Sequence, residues 1–176
     1  MIGRDRSQAA QAVHRRKTIR AERFELVSPD GKVRASLSVL DDCSPCLVLN
    51  DRDGSPRLIV RVMPDGTACV CMVDSSGVER ASVSLSGTGV PGVSLADADG
   101  QVRAGMGIVP KGGPCMGFYD EEGQMRAGIG MLPDGSSAVT LADGNGGARA
   151  GLSVLPDGSP GLNLSQQGGK SLFITP

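Results

Sequence analysis

Five cysteines are the side chains in this chain best equipped for chemistry. Cys43-x-x-Cys46 is followed by Cys69-x-Cys71, and Cys115 comes later. Cys43, Cys46, Cys69 and Cys71 are the set from which a four-thiolate zinc site would be drawn. Such a site needs sulfurs arranged tetrahedrally at about 2.3 Å from the ion. The surrounding sequence argues against it. Cys43 falls in a predicted turn, and Cys46, Cys69 and Cys71 fall on one face of predicted strands. In a meander Cys46 and Cys69 stand two strand spacings apart, about 9.6 Å, too far for a disulfide. Small residues filling tight positions is the better reading, with no metal and no cofactor expected.

Other chemistry has fewer parts to work with. His14 is the sole histidine, and it lies in the N-terminal arm, so no Ser-His-Asp, Cys-His or HExxH arrangement can be built from the rest. The chain is not expected to be an enzyme, and no catalytic residue is assigned. Asp51-Arg52-Asp53-Gly54 and Asp97-Ala98-Asp99-Gly100 look like fragments of calcium loops, but the bidentate glutamate is missing. Turn chemistry explains these aspartates better. Tyr119 is the only tyrosine and tryptophan is absent, so a sugar site would lack stacking platforms.

The elements that must position all these residues repeat. Arg34, Arg57, Arg80, Arg103, Arg126 and Arg149 are spaced 23 residues apart. Gly31, Gly54, Gly77, Gly100, Gly123 and Gly146 keep the same step, and Asp51, Asp74, Asp97, Asp120 and Asp143 close five of the units. A fixed period without insertions indicates a repeat architecture. Each unit holds two alternating runs separated by Asp-Gly turns, and no crossover helix fits in it. The fold predicted is all-β: an antiparallel β-meander or hairpin repeat array of six units plus a final strand over Lys170–Thr175, prism-like or solenoid-like. Thirteen strands are expected. The β-repeat domain is assigned to residues 24–176.

Residues 1–23 form the other region, a basic arm or short helix. Arg4, Arg6, Arg15, Arg16, Lys17, Arg20 and Arg23 face only Asp5 and Glu22 there, while the whole chain has a net charge of −1. The arm reads as an attachment segment. Nucleic acid is not the expected partner, because the arm offers phosphate contacts without base readout. No signal-peptide pattern and no membrane-spanning run is seen. The odd cysteine count, without a secreted-domain layout, favours a reducing compartment. The expected location is the cytoplasm, or a larger particle assembled there.

Period-two patterning assigns faces. One face carries Val33, Ala35, Leu37 and Val39 in the first unit, Ala127, Ile129 and Met131 in the fifth, and Leu162 and Leu164 near the end. The opposite face is small, as in Ser36 and Ser38, or Gly105, Gly107, Gly128 and Gly130. Glycine inside strands points to close backbone approach or strong bending. The apolar face spans about 1,200 Å², well beyond what a soluble monomer leaves open, so Leu37, Ile129 and Leu164 are expected out of water. A barrel, a single-chain prism or solenoid, or packing against further copies would each achieve that. A single-chain barrel of this size is too wide for mid-sized side chains to fill, and aromatics are only 2% of the chain.

The unit Asp-Gly-x-x-Arg-Ala, followed by Pro-Asp-Gly and two alternating apolar positions, resembles a group of uncharacterised bacterial repeat proteins. Asp99-Gly100 with Arg103-Ala104, and Pro156-Asp157-Gly158-Ser159-Pro160-Gly161-Leu162, carry it. Residues 18–35 look like the opening segment of such arrays. The resemblance covers residues 18–176 and implies no activity and no catalytic residue. A looser similarity links the chain to β-repeat shafts of phage tails and surface fibres, at the level of fold alone. Unit two departs, with Leu58 for alanine and Arg61 for a small residue.

The function expected is structural: a self-assembling scaffold, shaft or fibre-like element. A homo-oligomer is predicted, a trimer before other states, with the arm attaching it to a partner. The alternative is a binding module without catalysis, a lectin-like prism or an adaptor surface. Leu152→Asp is expected to disrupt assembly, and Arg126→Ser to be nearly silent.

Overall fold

The structure is a computed structural model, and it describes residues 18–109, 113–166 and 171–174. Among the described residues fourteen strands form one antiparallel sheet in strict chain order. They are β1 (Arg23–Val27), β2 (Val33–Val39), β3 (Pro45–Asn50), β4 (Pro56–Val62), β5 (Ala68–Val73), β6 (Glu79–Leu85) and β7 (Pro91–Ala96). The second half adds β8 (Val102–Ile108), β9 (Pro114–Tyr119), β10 (Met125–Met131), β11 (Ser137–Ala142), β12 (Ala148–Val154), β13 (Pro160–Ser165) and β14 (Ser171–Ile174). The count exceeds the expected thirteen by one, because the segment opening at Arg23 pairs as a full strand with β2. The helix or arm expected at the N-terminus falls largely on residues 1–17, outside the described residues, as do His14, Lys170 and Thr175. Among the described residues no helix is long and apolar enough to cross a membrane.

The sheet is one layer. Each strand touches only the strands before and after it, and β1 does not meet β14. Among the described residues no barrel closes, and no second sheet folds over either face.

From β1 to β13, every connection whose residues are all described uses the same backbone device. In Leu155-Pro156-Asp157-Gly158-Ser159, the Gly158 N–H donates to the Leu155 carbonyl at 2.9 Å and the Leu155 N–H to the Ser159 carbonyl at 2.9 Å. This is a type I turn closed by a residue in the left-handed region. Proline pre-sets φ at the first turn position and glycine supplies the positive φ, +87° at Gly158. One described turn breaks the rule: Cys43 holds φ at +66° where its counterparts are glycine. A side chain there costs roughly 1–2 kcal/mol. Cys43→Gly is therefore expected to stabilise the chain by about 1 kcal/mol, partly offset by the greater freedom of unfolded glycine, raising the melting temperature by circular dichroism.

The 23-residue step has a structural cause. First strands of each unit are seven residues and second strands six, with five-residue turns between. The extra residue is a β-bulge, and it recurs in every unit. Leu26 pairs with Ala35 while Val27 pairs with Val33, leaving Arg34 over. The same skip falls at Arg57, Arg80, Arg103, Arg126 and Arg149. The bulge corrects one face assignment. Val33 pairs with Val27, so it lies on the small face and not beside Ala35 and Leu37.

Candidate functional site

Three surfaces are built from the repeat: a rim of bulged arginines, a face of small residues and a face of large apolar residues.

At the rim, five of the six arginines reach back six residues to the aspartate that opens their own turn. Arg80 Nη1 stands 3.3 Å from Asp74 Oδ2, and Arg103 Nη1 stands 3.1 Å from Asp97 Oδ2. Arg57, Arg126 and Arg149 make the same pairing with Asp51, Asp120 and Asp143, and Arg34 uses Asp30. The guanidinium also reaches forward. Arg80 Nε donates to the Ala96 carbonyl at 3.0 Å, Arg103 Nε to the Tyr119 carbonyl at 2.9 Å, and Arg126 Nε to the Ala142 carbonyl at 3.1 Å. A single side chain thus ties a turn to the end of the next second strand. A bulge disrupts the ladder locally, and the arginine fork supplies donors where it does so.

The turn aspartates are held by backbone as well. Asp74 Oδ1 accepts N–H bonds from Ser76 at 2.8 Å and Val78 at 3.1 Å. The Val78 N–H is the main cause that holds the Asp74 carboxyl below its ordinary value, with Arg80 adding to it. Asp51 is lowered chiefly by the Ser55 N–H, and Asp143 chiefly by its hydrogen bond from Arg149. A carboxyl lowered on folding stabilises the folded state above its unfolded pKa, about 3.9. That stability is lost as pH falls through the lower folded values. The melting temperature should therefore hold from pH 7 to about pH 4 and drop below it, with Asp143→Asn flattening part of the drop. These turns are full of internal bonds, which accounts for the calcium-like fragments at Asp51–Gly54 and Asp97–Gly100.

On the small face Cys69 and Cys71 are neighbours on β5, while Cys46 and Cys115 lie on other strands. Cys46 and Cys69 flank Arg61, one on each neighbouring strand, so a whole strand separates them. Cys43 is exposed in its turn, while Cys46, Cys69 and Cys71 are buried. Burial, followed by the Glu79 carboxylate and the Cys69 thiol, pushes Cys71 up to about 12. Burial also raises Cys46. Neutral, buried thiols are poor nucleophiles and poor metal ligands. Among the described residues no three His, Cys, Asp or Glu side chains gather as a metal set. The cysteines instead leave room beside Arg61, the charged residue unit two places in a row that from β2 to β13 is otherwise serine, glycine, alanine and cysteine.

Two of the small-face glycines are explained by close approach. A Cβ on Gly107 would lie 2.9 Å from the Pro91 carbonyl oxygen, and one on Gly130 would lie 2.9 Å from Cys115 Cβ. Gly105 is looser, with Val93 O at 3.6 Å. Over Gly117 sits Tyr119, whose Oη would be 2.8 Å from an added Cβ.

The large face is the principal feature. Its middle row crosses the sheet in unbroken register, from Leu37 through Val83, Met106, Ile129 and Leu152 to Ile174. On either side runs an outer row, one nearer the arginine rim and one nearer the Pro-Asp-Gly turns. This face is open. Leu37, Ile129 and Leu164 are 49%, 53% and 43% exposed, so the expectation that they leave water is not met within the chain. The cause is topological: a meander of neighbour-only contacts supplies no second layer to cover them. Buried apolar side chains among the described residues are Ala35, Cys46, Cys69, Cys71 and Val73, all small or mid-sized and none from the middle row. No protein-family model and no curated protein matches this chain.

Proposed function

We propose that the protein is a structural element that works by assembling with copies of itself through the large face, without catalysis. The observation that carries this reading is the pairing of a continuous apolar face with the near absence of a core. Among the described residues only five apolar side chains are buried, all small or mid-sized, while most large residues of the middle row stay open. A face of about 1,200 Å² would contribute on the order of 30 kcal/mol gross if covered, at about 25 cal/mol per Å².

Three copies fit the dimensions best. Strands of six or seven residues make walls about 20 Å wide, and three such walls enclose an axis about 6 Å from each sheet. That is close to the roughly 5 Å half-spacing at which stacked sheets fill the gap with side chains. Four walls would leave an axis about 10 Å away, beyond the reach of Val, Leu and Met. The basic arm then serves as the attachment, and the assembled body as a scaffold or shaft.

Light scattering coupled to size exclusion, at micromolar concentration and moderate salt, tests the proposal. The expected mass is that of three chains. A compact particle with the mass of one chain overturns it. Retained glycan binding by such a single chain after removal of residues 1–17 would replace it with the lectin-like alternative.

A further inference from the structure

The pairing register fixes more than the existence of a sticky face. In the outer row near the arginine rim, first strands carry alanine and second strands carry large residues: Ala104 on β8, Leu95 on β7. In the outer row near the Pro-Asp-Gly turns the sizes invert: Ile108 on β8, Pro91 on β7. From β2 to β13 every strand therefore carries one small and one large residue at its two ends, with the order reversing at each strand. β4 is the exception, with Leu58 and Val62 both large.

The geometry points to copies that lie parallel and strand beside the same strand, around a three-fold axis running along the sheet. This rests on the self-assembly proposed above and names how the copies meet. In such a ring the arginine-rim edge of one wall meets the opposite edge of the next wall at the same height. Ala104 of one copy then faces Ile108 of the next, and Leu95 faces Pro91. Each corner receives one small and one large side chain, the pairing that fills a gap without clash or void. A slip of one strand would set Ala104 against Pro91 or Pro114 and large against large on the neighbouring strands, leaving holes alternating with overlaps. A slip of two strands restores the size match but strips the cover from two strands at each end. The in-register ring alone satisfies both demands. The occupant of the face is another copy because the size code is self-complementary, and because about 1,200 Å² per chain exceeds the roughly 800 Å² per partner of a stable interface.

Paired cysteines test the arrangement. In a Cys43→Ser, Cys115→Ser background, Ala104→Cys and Ile108→Cys are made singly and together, and Ala150→Cys with Val154→Cys serves as a second pair on β12. Only variants keeping the wild-type assembled mass are compared. The expected result after mild oxidation is a covalent ring of three chains from either double variant, and single chains from the single variants. Double variants that cross-link no more than the singles, while the assembly keeps its mass, overturn the parallel in-register arrangement and leave self-assembly standing. Cross-linking of a single variant to itself would mean antiparallel copies and overturns it as well. A wild-type chain that is monomeric by light scattering fails the underlying proposal instead.

Discussion

Leu152→Asp should reduce the assembled protein to single chains. Leu152 stands in the middle row, paired with Val139 and Leu162, and is 60% exposed in the isolated chain. A carboxylate at that place in one chain meets water and costs little. In an assembly it would be withdrawn from water without a cation partner, at an effective penalty of several kcal/mol per ion. Three copies would bring three such charges near one axis. The loss should therefore exceed ten-fold in the association constant many times over, read as a collapse of mass in light scattering. Arg126→Ser is the matched control. It removes an exposed pair worth about 0–1 kcal/mol and one hydrogen bond to the Ala142 carbonyl, so mass should be kept with at most a slightly lower melting temperature. Equal masses for Leu152→Asp and wild type would remove the large face from any role in assembly.

The second large effect concerns the small face. Gly107→Ala should destabilise the sheet by about 1–3 kcal/mol, because the new Cβ meets the Pro91 carbonyl and backbone cannot rotate away. Gly130→Ala should behave alike, against Cys115 Cβ and the Pro114 carbonyl at 3.1 Å. Gly151→Ala is the contrast. Its nearest neighbour is the Val139 carbonyl at 3.5 Å, an ordinary contact, so reduced unfolded-state freedom should leave it neutral or stabilising by about 0.4–1 kcal/mol. Thermal melts of the three variants decide it. If all three shift alike, close approach is not what keeps glycine at 107 and 130.

The architecture was legible because the repeat writes it six times over. Asp-Gly turns and period-two alternation are local signals, and they led directly to an antiparallel meander with one apolar face. The bulge was not legible in the same way. Arg34 and its five equivalents look like rim residues spaced for charge pairing, and only the strand opposite reveals that each one has no partner position. One trace existed: two strands of equal length and two equal turns give an even unit, and 23 is odd. Alternation puts Val33 on the wrong face for the same reason, since a count along one strand cannot detect a slipped residue. The cover of Leu37, Ile129 and Leu164 was unreadable for a deeper reason. Patterning states which side must leave water, but not whether the shelter comes from the same chain. The outer-row size code also needed the register, because Ala104 and Ile108 acquire meaning only when set beside Leu95 and Pro91.

Neighbour-only contact has a last consequence. Where every strand depends on two others alone, stability grows by near-equal increments, and whole units can be gained or lost without retuning the rest. Removing 23 residues at a unit boundary would leave turns, rim and both faces in phase and shorten the body by about 9.6 Å. Removing a single residue from within a strand would throw the rest of that strand onto the wrong side. The length of the sheet is thus set by how many times one short sentence of sequence is repeated, with one arginine to mark each unit.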